Sequence, residues 1–262
     1  MTHPNVDVVI PAFGQVGLVI KCIECLRGQP RLGRIILVDD NSEKIEAEVM
    51  QKIEGADYNK NHGEHGFIRA TTLGVKRSDS PYFLLLNSDC FLKANAIKNM
   101  AQNLDQGFAI CGARLIFARG SRYGQEGTIQ HAGIGFNMFG VPYHVGMNMP
   151  GDEPFVLKWR SINAVTGACM MIKREIWDRV NGWDRHLSLG VYEDCDLCLS
   201  IRKLGYEIAY EPKALGEHLM HGSQTNERNF FRQDLHDNNL AYLFTKHGQP
   251  RCDDDLWYNM RG

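Results

Sequence analysis

The chain has 262 residues, enough for one large domain or two small ones and for a sizeable core. Apolar residues make up 44% and charged residues 23%, which excludes a disordered chain. The 29 basic and 31 acidic side chains leave a formal charge of -2, which argues against a broad basic nucleic-acid surface.

The first half alternates between strand and helix patterns. Residues 6–10 are an apolar run ended by Pro11, as in a buried strand. Residues 16–27 carry Leu18, Cys22, Cys25 and Leu26 at helical spacing and stop at Gly28 and Pro30. A second buried strand over 34–38 runs into Asp39-Asp40-Asn41-Ser42, turn and cap formers ahead of a helix over 44–53. A loop over 61–66 precedes a helix over 67–77. A third buried strand, 82–86, ends at Asn87-Ser88-Asp89, and a helix over 94–104 and a strand over 108–117 follow. Repeated β-α-β predicts an α/β fold with a Rossmann-like, mostly parallel sheet covered on both faces.

After Phe117 the pattern changes. Residues 119–154 are rich in Gly and Pro without periodicity, and 155–165 look extended. A short helix over 173–180 stops at Asn181-Gly182, and a helix over 192–204 stops at Gly205. A strand over 207–210 ends before Pro212, and a last helix runs over 226–246. These shifts divide the chain into 1–117, 118–225 and 226–262, all within one domain. There is no run of about 20 apolar residues and no secretory leader, so a cytoplasmic protein is expected, with peripheral contact at the inner face of a membrane left open.

Acids at strand ends carry the chemical signal. In open parallel sheets, ligands bind outside the carboxyl ends of strands. Asp39-Asp40 and Asn87-Ser88-Asp89 fall at two such ends and face one rim. Asn-x-Asp can offer oxygen ligands to a hard divalent cation, although the same residues also make good turns. Glu193-Asp194 opens a helix, where acids suit the macrodipole, but it follows a loop starting at Gly182-Trp183-Asp184 that could place a general base in a cleft. His218 and His221, flanked by Gly216 and Gly222, are candidate metal ligands. Trp183, Trp159 and Tyr192 are candidate aromatic platforms for a ligand, with core packing as the alternative for each.

Taken in order, Val8-Val9-Ile10-Pro11-Ala12-Phe13, Leu37-Val38-Asp39-Asp40-Asn41-Ser42, Leu85-Leu86-Asn87-Ser88-Asp89, Thr166-Gly167-Ala168-Cys169, Asn181-Gly182-Trp183-Asp184 and Glu193-Asp194-Cys195-Asp196 resemble the family 2 glycosyltransferases of GT-A fold. The likeness is greatest to bacterial cell-surface polysaccharide transferases, to which Gln130-His131-Ala132-Gly133 and the segment from Pro212 through His218 are also similar. The resemblance implies an inverting transferase that moves a sugar from a nucleoside-diphosphate-sugar, UDP first, to a saccharide or glycolipid acceptor. It implies that Pro11, Ala12, Phe13 and Asp40 hold the base and ribose, and that Asn87 and Ser88 belong to the donor site. Asp89 with His218 would bind Mn2+ or Mg2+, with His221 the nearby competitor. Asp194 would be the catalytic base with Glu193 its neighbour, and Arg69 lies where some members contact the donor. Thr72 and His247 depart from the family pattern, where many members have Asn and Trp, and neither touches the implied chemistry.

Two further classes stand beside this one. A nucleotidyltransferase would carry a basic Gly-rich loop after its first strand, where Pro11-Ala12-Phe13-Gly14-Gln15 stands here. A non-catalytic carbohydrate-binding protein on the same fold would not need Asp40, Asp89 and Asp194 together. The pairs Cys22/Cys25 and Cys195/Cys198 raise structural zinc, but they lie far beyond the roughly 15–20-residue separation of a zinc ribbon. At i and i+3 in helix-patterned segments their sulfurs share one face, as core residues do. The acids at the proposed rim also repel a diphosphate, which favours a bound divalent cation despite the near-neutral total.

Overall fold

The structure, a computed structural model, describes residues 5–187, 190–220, 232–250 and 252–253. It begins with β1 (Val6–Ala12), α1 (Val16–Leu26), β2 (Leu32–Asp39), α2 (Lys44–Met50), β3 (Asp57–Lys60), α3 (Phe67–Arg77) and β4 (Tyr82–Leu86). Next come β5 (Cys90–Leu92), α4 (Ala96–Asp105), β6 (Ile110–Phe117) and the short strands β7 (Ile129–His131), β8 (Ile134–Phe136), β9 (Pro142–His144) and β10 (Arg160–Ile162). The remaining elements are β11 (Cys169–Lys173), α5 (Arg174–Val180), a 3-10 turn (Arg185–Leu187), α6 (Glu193–Lys203), β12 (Ile208–His218) and α7 (Gln233–His247).

Strands order as β10-β12-β6-β11-β4-β1-β2-β3, with β5 also paired to β12 and β7 to β6. The β4-β1-β2-β3 half is parallel throughout, β6 and β12 are parallel, and β11 runs antiparallel between β4 and β6. One sheet thus passes through residues on both sides of Phe117. Val8 and Ile10 of β1 enter the core under α1 and α4, while Val9 enters the core under α3, α5 and α6. Leu84 and Leu86 of β4 divide from Phe83 and Leu85 in the same way. Burial on both faces is why these strands read as continuous apolar runs. At Gly74 a Cβ would lie 2.3 Å from Val9 Cγ1 and 3.0 Å from Val38 Cγ2, so α3 rests almost directly on β1 and β2.

The chain leaves β1 for β2 and β3 on one flank, then returns as β4 on the other. That reversal opens a crevice at the carboxyl ends of β1, β2 and β4, where Ala12 stands in register with Asp39. Besides the short strands β5, β7, β8 and β9, four features depart from the sequence expectation. β3 (Asp-Tyr-Asn-Lys) is an edge strand too polar to signal itself. β11 follows the Thr166-Gly167-Ala168 turn as an antiparallel central strand. Only Arg160–Ile162 of the extended segment joins the sheet. The strand expected to stop before Pro212 continues to His218, because the pairing with β6 slips between Glu211 and Leu215 and Pro212 falls in that bulge, where no ladder bond is needed. No helix among the described residues is long and apolar enough to cross a membrane.

Candidate active site

At the end of β1 and β2 the turn is closed by side chains. Asp39 spends its carboxylate locally: Oδ1 accepts the Ser42 N–H at 2.8 Å and Oδ2 the Tyr58 hydroxyl at 2.6 Å. Ser42 Oγ in turn accepts the Gly14 N–H at 2.8 Å, tying the Pro11-Ala12-Phe13 segment to β2. Asp40 is different. Its N–H bonds Ala12 O, and its carboxylate is aimed by Asn61 Nδ2 at 2.7 Å and the Gly66 N–H at 2.8 Å. Each oxygen keeps lone pairs for a further donor. His65 Nδ1 lies 2.8 Å from Asp40 O, and its ring meets Phe13 edge-on at 5.6 Å. Arg69 lies on α3 in an ion pair with Glu64.

The β4 end turns at once: the Cys90 N–H bonds Asn87 O at 3.0 Å, and the Asn87 N–H bonds Ala168 O at 2.9 Å. β5 then pairs with β12 with Cys90 opposite His218. This register brings His218 Nε2 to 3.1 Å from Asp89 Oδ1, both side chains being nearly fully buried. His218 Nδ1 lies 3.3 Å from Gln130 Oε1 on β7. With the Nδ1 proton on Gln130, the Nε2 lone pair faces the Asp89 carboxylate, an arrangement that calls for a positive charge between them. A proton or a metal ion answers it, and an oriented imidazole beside a carboxylate fits a divalent cation that accepts both nitrogen and oxygen.

Asp194 opens α6. Its Oδ2 accepts the Gly167 N–H at 3.1 Å and its Oδ1 the Cys195 N–H at 2.8 Å. These two N–H donors fix the orientation of the carboxylate at the helix N-terminus. Glu193 differs: burial, then the charge on Asp194, push its carboxyl up to about 8, and Oε2 has no hydrogen-bond partner. Adjacent acids in such different surroundings are the pattern that separates roles in acid-base sites.

The Glu193 shift has a consequence for stability. Its native carboxyl holds a proton up to about 8, whereas an unfolded glutamate releases it near 4.5. The contribution is therefore intact below the unfolded value and is lost progressively as pH rises toward about 8. The loss is on the order of a few kcal/mol. Glu193→Gln, neutral at every pH, should melt close to wild type near pH 5 and several degrees above it near pH 8.5. Thermal melts at the two pH values check this, and a gap that does not widen with pH contradicts it.

The loop before α6 is held from behind. Val191 and Tyr192 have φ of 69° and 71°, in the left-handed region that β-branched residues rarely enter. Asn239 Nδ2 on α7 donates to Gly190 O at 2.9 Å and Val191 O at 3.0 Å. Lys246 Nζ, also on α7, bridges Asp184 at 2.7 Å and Asp196 at 2.8 Å. Burial alone would raise the Asp184 carboxyl, but bonds from Lys246, the His186 N–H and Tyr242 bring it down to about 2. Strain of this kind persists where surrounding contacts over-determine it, commonly beside a functional cleft.

These elements enclose a cleft of about 390 Å³. Of the expected residues, Asn87, Asp89, Tyr192, Glu193, Asp194 and His218 line it. Pro11, Ala12, Phe13, Asp40, Ser88 and Arg69 lie outside that lining. His221 lies outside the described residues. Trp183 is corrected: it is 5% exposed, donates from Nε1 to Thr71 Oγ1 and packs on Trp177 and beneath Phe67, so neither face can meet a sugar. Phe67 lines the cleft in its stead. Trp159 bonds Asn103 Oδ1 away from the cleft. Among the described residues no disulfide joins the cysteines; burial pushes the thiols of Cys22, Cys111, Cys195 and Cys198 up, and a hydrogen bond with Cys169, then burial, does the same for Cys90, as packed core thiols require. Cleft residues that the motifs did not assign are Gln130, Tyr143 and His144. Their strands are three residues long, too short for a period to show.

A largely parallel sheet with an antiparallel β11 and a cleft at its carboxyl rim is the GT-A architecture. A crystal structure of GalNAc-T7 with UDP, GalNAc and Mn2+ matches it with a TM-score of 0.66 at 17% identity, over 83% of this chain and 44% of that one. Glycosyl transferase family 2 matches residues 7–180, and the chain belongs to that family. The rhamnosyltransferase WbbL of Escherichia coli K12 is 22% identical over 239 residues, 86% of each protein. A Sinorhizobium fredii protein, y4gI, is 29% identical over 224 residues, 80% of this chain. This chain spans 24% of the length of y4gI.

Proposed function

We propose that the chain is an inverting, divalent-cation-dependent glycosyltransferase. It moves a sugar from a nucleoside-diphosphate-sugar to a hydroxyl of a saccharide or glycolipid acceptor in cell-surface polysaccharide biosynthesis. It works in the cytoplasm, at the inner membrane face where the acceptor is lipid-borne. The observation that carries this reading is the cleft lining: the carboxylates of Asp89 and Asp194, the neutral acid Glu193, and no lysine or arginine among the described residues. A diphosphate cannot enter such a site without a cation. Asp89 and His218 would hold that cation, with Mn2+ better suited than Mg2+ to the imidazole, and when bound it offsets charge on the departing diphosphate.

The chain's own residues do the rest. Phe13 and the oriented Asp40 carboxylate hold the base, Asp40 by accepting an N–H of its edge; uracil supplies one, so UDP is the first donor to test. The GalNAc-T7 structure holding UDP and Mn2+ supports that choice. Residues before Phe117 hold the donor, and those after it the acceptor. Asp194, fixed by two N–H bonds, takes the acceptor's proton as the acceptor oxygen attacks the anomeric carbon. Glu193, kept neutral, is a poor nucleophile and Asp89 is committed to the cation, so among the described residues the lining leaves a base and no second carboxylate to form a glycosyl-enzyme. That favours a single displacement with inversion.

The test is a thermal-shift panel of UDP, GDP and dTDP, each with Mn2+ and with chelator. Ligand at about 100 times its Kd should add roughly 2.7 kcal/mol to stability. At least one nucleotide should raise the melting temperature with Mn2+ and lose that effect with chelator. No shift with any of the three rejects the donor class.

A further inference from the structure

A second histidine pair reaches the cleft from β7 and the β8–β9 hairpin, outside the roles given above. His131 is fully buried. Its Nδ1 lies 2.9 Å from Nδ1 of His144, and the rings meet edge to face. Its Nε2 lies 3.3 Å from the Thr166 backbone nitrogen. A backbone N–H can only donate, so His131 Nε2 accepts and the neutral ring carries its proton on Nδ1. That proton points at His144 Nδ1, which must accept it. His144 therefore keeps its own proton on Nε2. Charging His144 would set N–H against N–H across the 2.9 Å contact, and charging His131 would set its Nε2–H against the Thr166 N–H. Burial, then His144 and His218, hold the His131 imidazole well below its ordinary range; burial lowers His144 against the pull of Asp194, with His218 adding to the lowering.

His144 lines the cleft with Asp194, and its Nε2–H has no partner among the described residues. A fixed donor near a fixed carboxylate acceptor selects a group that both accepts and donates. A sugar hydroxyl does so; a phosphate only accepts, and Asp194 would repel it.

We propose that His144 is a positioning residue for the acceptor: its Nε2–H, locked by the relay from Thr166 through His131, bonds a saccharide hydroxyl and sets that sugar beside Asp194. The proposal rests on the glycosyl-transfer reading. It assigns His131 no contact with substrate, only the duty of fixing the tautomer of His144.

Two measurements test it. Long-range 1H–15N spectra of the histidine-labelled protein near pH 7 should show His131 as the Nδ1–H tautomer and His144 as the Nε2–H tautomer. His131 found as Nε2–H overturns the relay. The second compares donor hydrolysis by water with transfer to a panel of octyl glycosides, in wild type, His144→Phe and His144→Gln, using the UDP-sugar and Mn2+. His144→Phe should raise the KM for the best octyl glycoside by about tenfold and leave hydrolysis within roughly twofold, because water needs Asp194 but no sugar contact. His144→Gln, which restores an N–H, should recover to within roughly threefold. Equal loss of hydrolysis and transfer in both variants, or wild-type transfer in His144→Phe, overturns the proposal. If the tautomers are as stated but wild type neither binds UDP with Mn2+ nor turns over, the glycosyl-transfer reading has failed and takes the acceptor role with it.

Discussion

Asp194→Asn is expected to lose transfer by about 10²–10⁴-fold while keeping its fold and its affinity for UDP with Mn2+. The structure sets the folding cost of this substitution. The carboxylate accepts two backbone N–H groups on separate oxygens, Gly167 on Oδ2 and Cys195 on Oδ1, so an asparagine keeps an acceptor for one of them and loses the bond to the other, at about 1–3 kcal/mol. The helix α6 loses one of three acids in its first turn, Glu193 and Asp196 remaining, which costs about 0.3–1 kcal/mol. Such costs move the melting temperature by several degrees and cannot remove activity. Residual turnover has an identifiable source. The charge of Asp194 is the second cause of the raised Glu193 carboxyl, so the variant lets Glu193 ionise more readily. Any base activity left should then rise with pH and vanish in Asp194→Asn with Glu193→Gln. Nucleotide release, measured with and without acceptor, reads both effects. Near wild-type kcat in the single variant would remove Asp194 from the chemistry.

The parts of this molecule legible in the chain are those where one physical demand dominates. β1, β2 and β4 are buried on both faces, so each reads as an apolar run, and the acids after them fall on one rim because parallel strands end together. The α3 bounds match because apolar residues at helical spacing start after Gly66 and end at Arg77. Residues with two competing uses were not legible. Asp39 and Asp40 look alike in sequence, yet Asp39 is consumed by Ser42 and Tyr58 while Asp40, held by Asn61 and the Gly66 N–H, keeps lone pairs for a further donor. Trp183 follows a Gly turn, as a platform would, but Thr71 offers its indole N–H a buried partner and draws it into the core. Pro212 stopped the predicted strand because a bulge three residues long leaves no local trace. His144 and Gln130 sit on strands defined by their partners, not by their own pattern, so no window of sequence could have joined them to His131 and His218.

The second large effect is expected at Asp89. Asp89→Ala should abolish the Mn2+ requirement for UDP binding and reduce transfer by several kcal/mol, on the order of 10²–10⁴-fold. His218 alone offers one nitrogen, and Gln130 already occupies its other face. The remaining lining still carries the Asp194 carboxylate and no lysine or arginine among the described residues, so a diphosphate would meet a like charge without a counterion. A folding cost must be separated from this. His218 is 3% exposed and loses its Nε2 partner, a penalty of about 1–3 kcal/mol. The backbone contribution survives, since the Leu219 N–H bonds the Asp89 carbonyl. Asp89→Asn supplies the control: it preserves size and a polar partner for His218 but removes the charge. Both variants should bind UDP weakly and equally with Mn2+ and with chelator, whereas wild type should bind it only with the metal. Calorimetric titration of UDP into the three proteins makes the comparison directly. Unchanged metal-dependent affinity in Asp89→Asn would mean that the cation is held elsewhere, and the Asp89–His218 pair would then be a buried ion pair that closes the rim of the sheet.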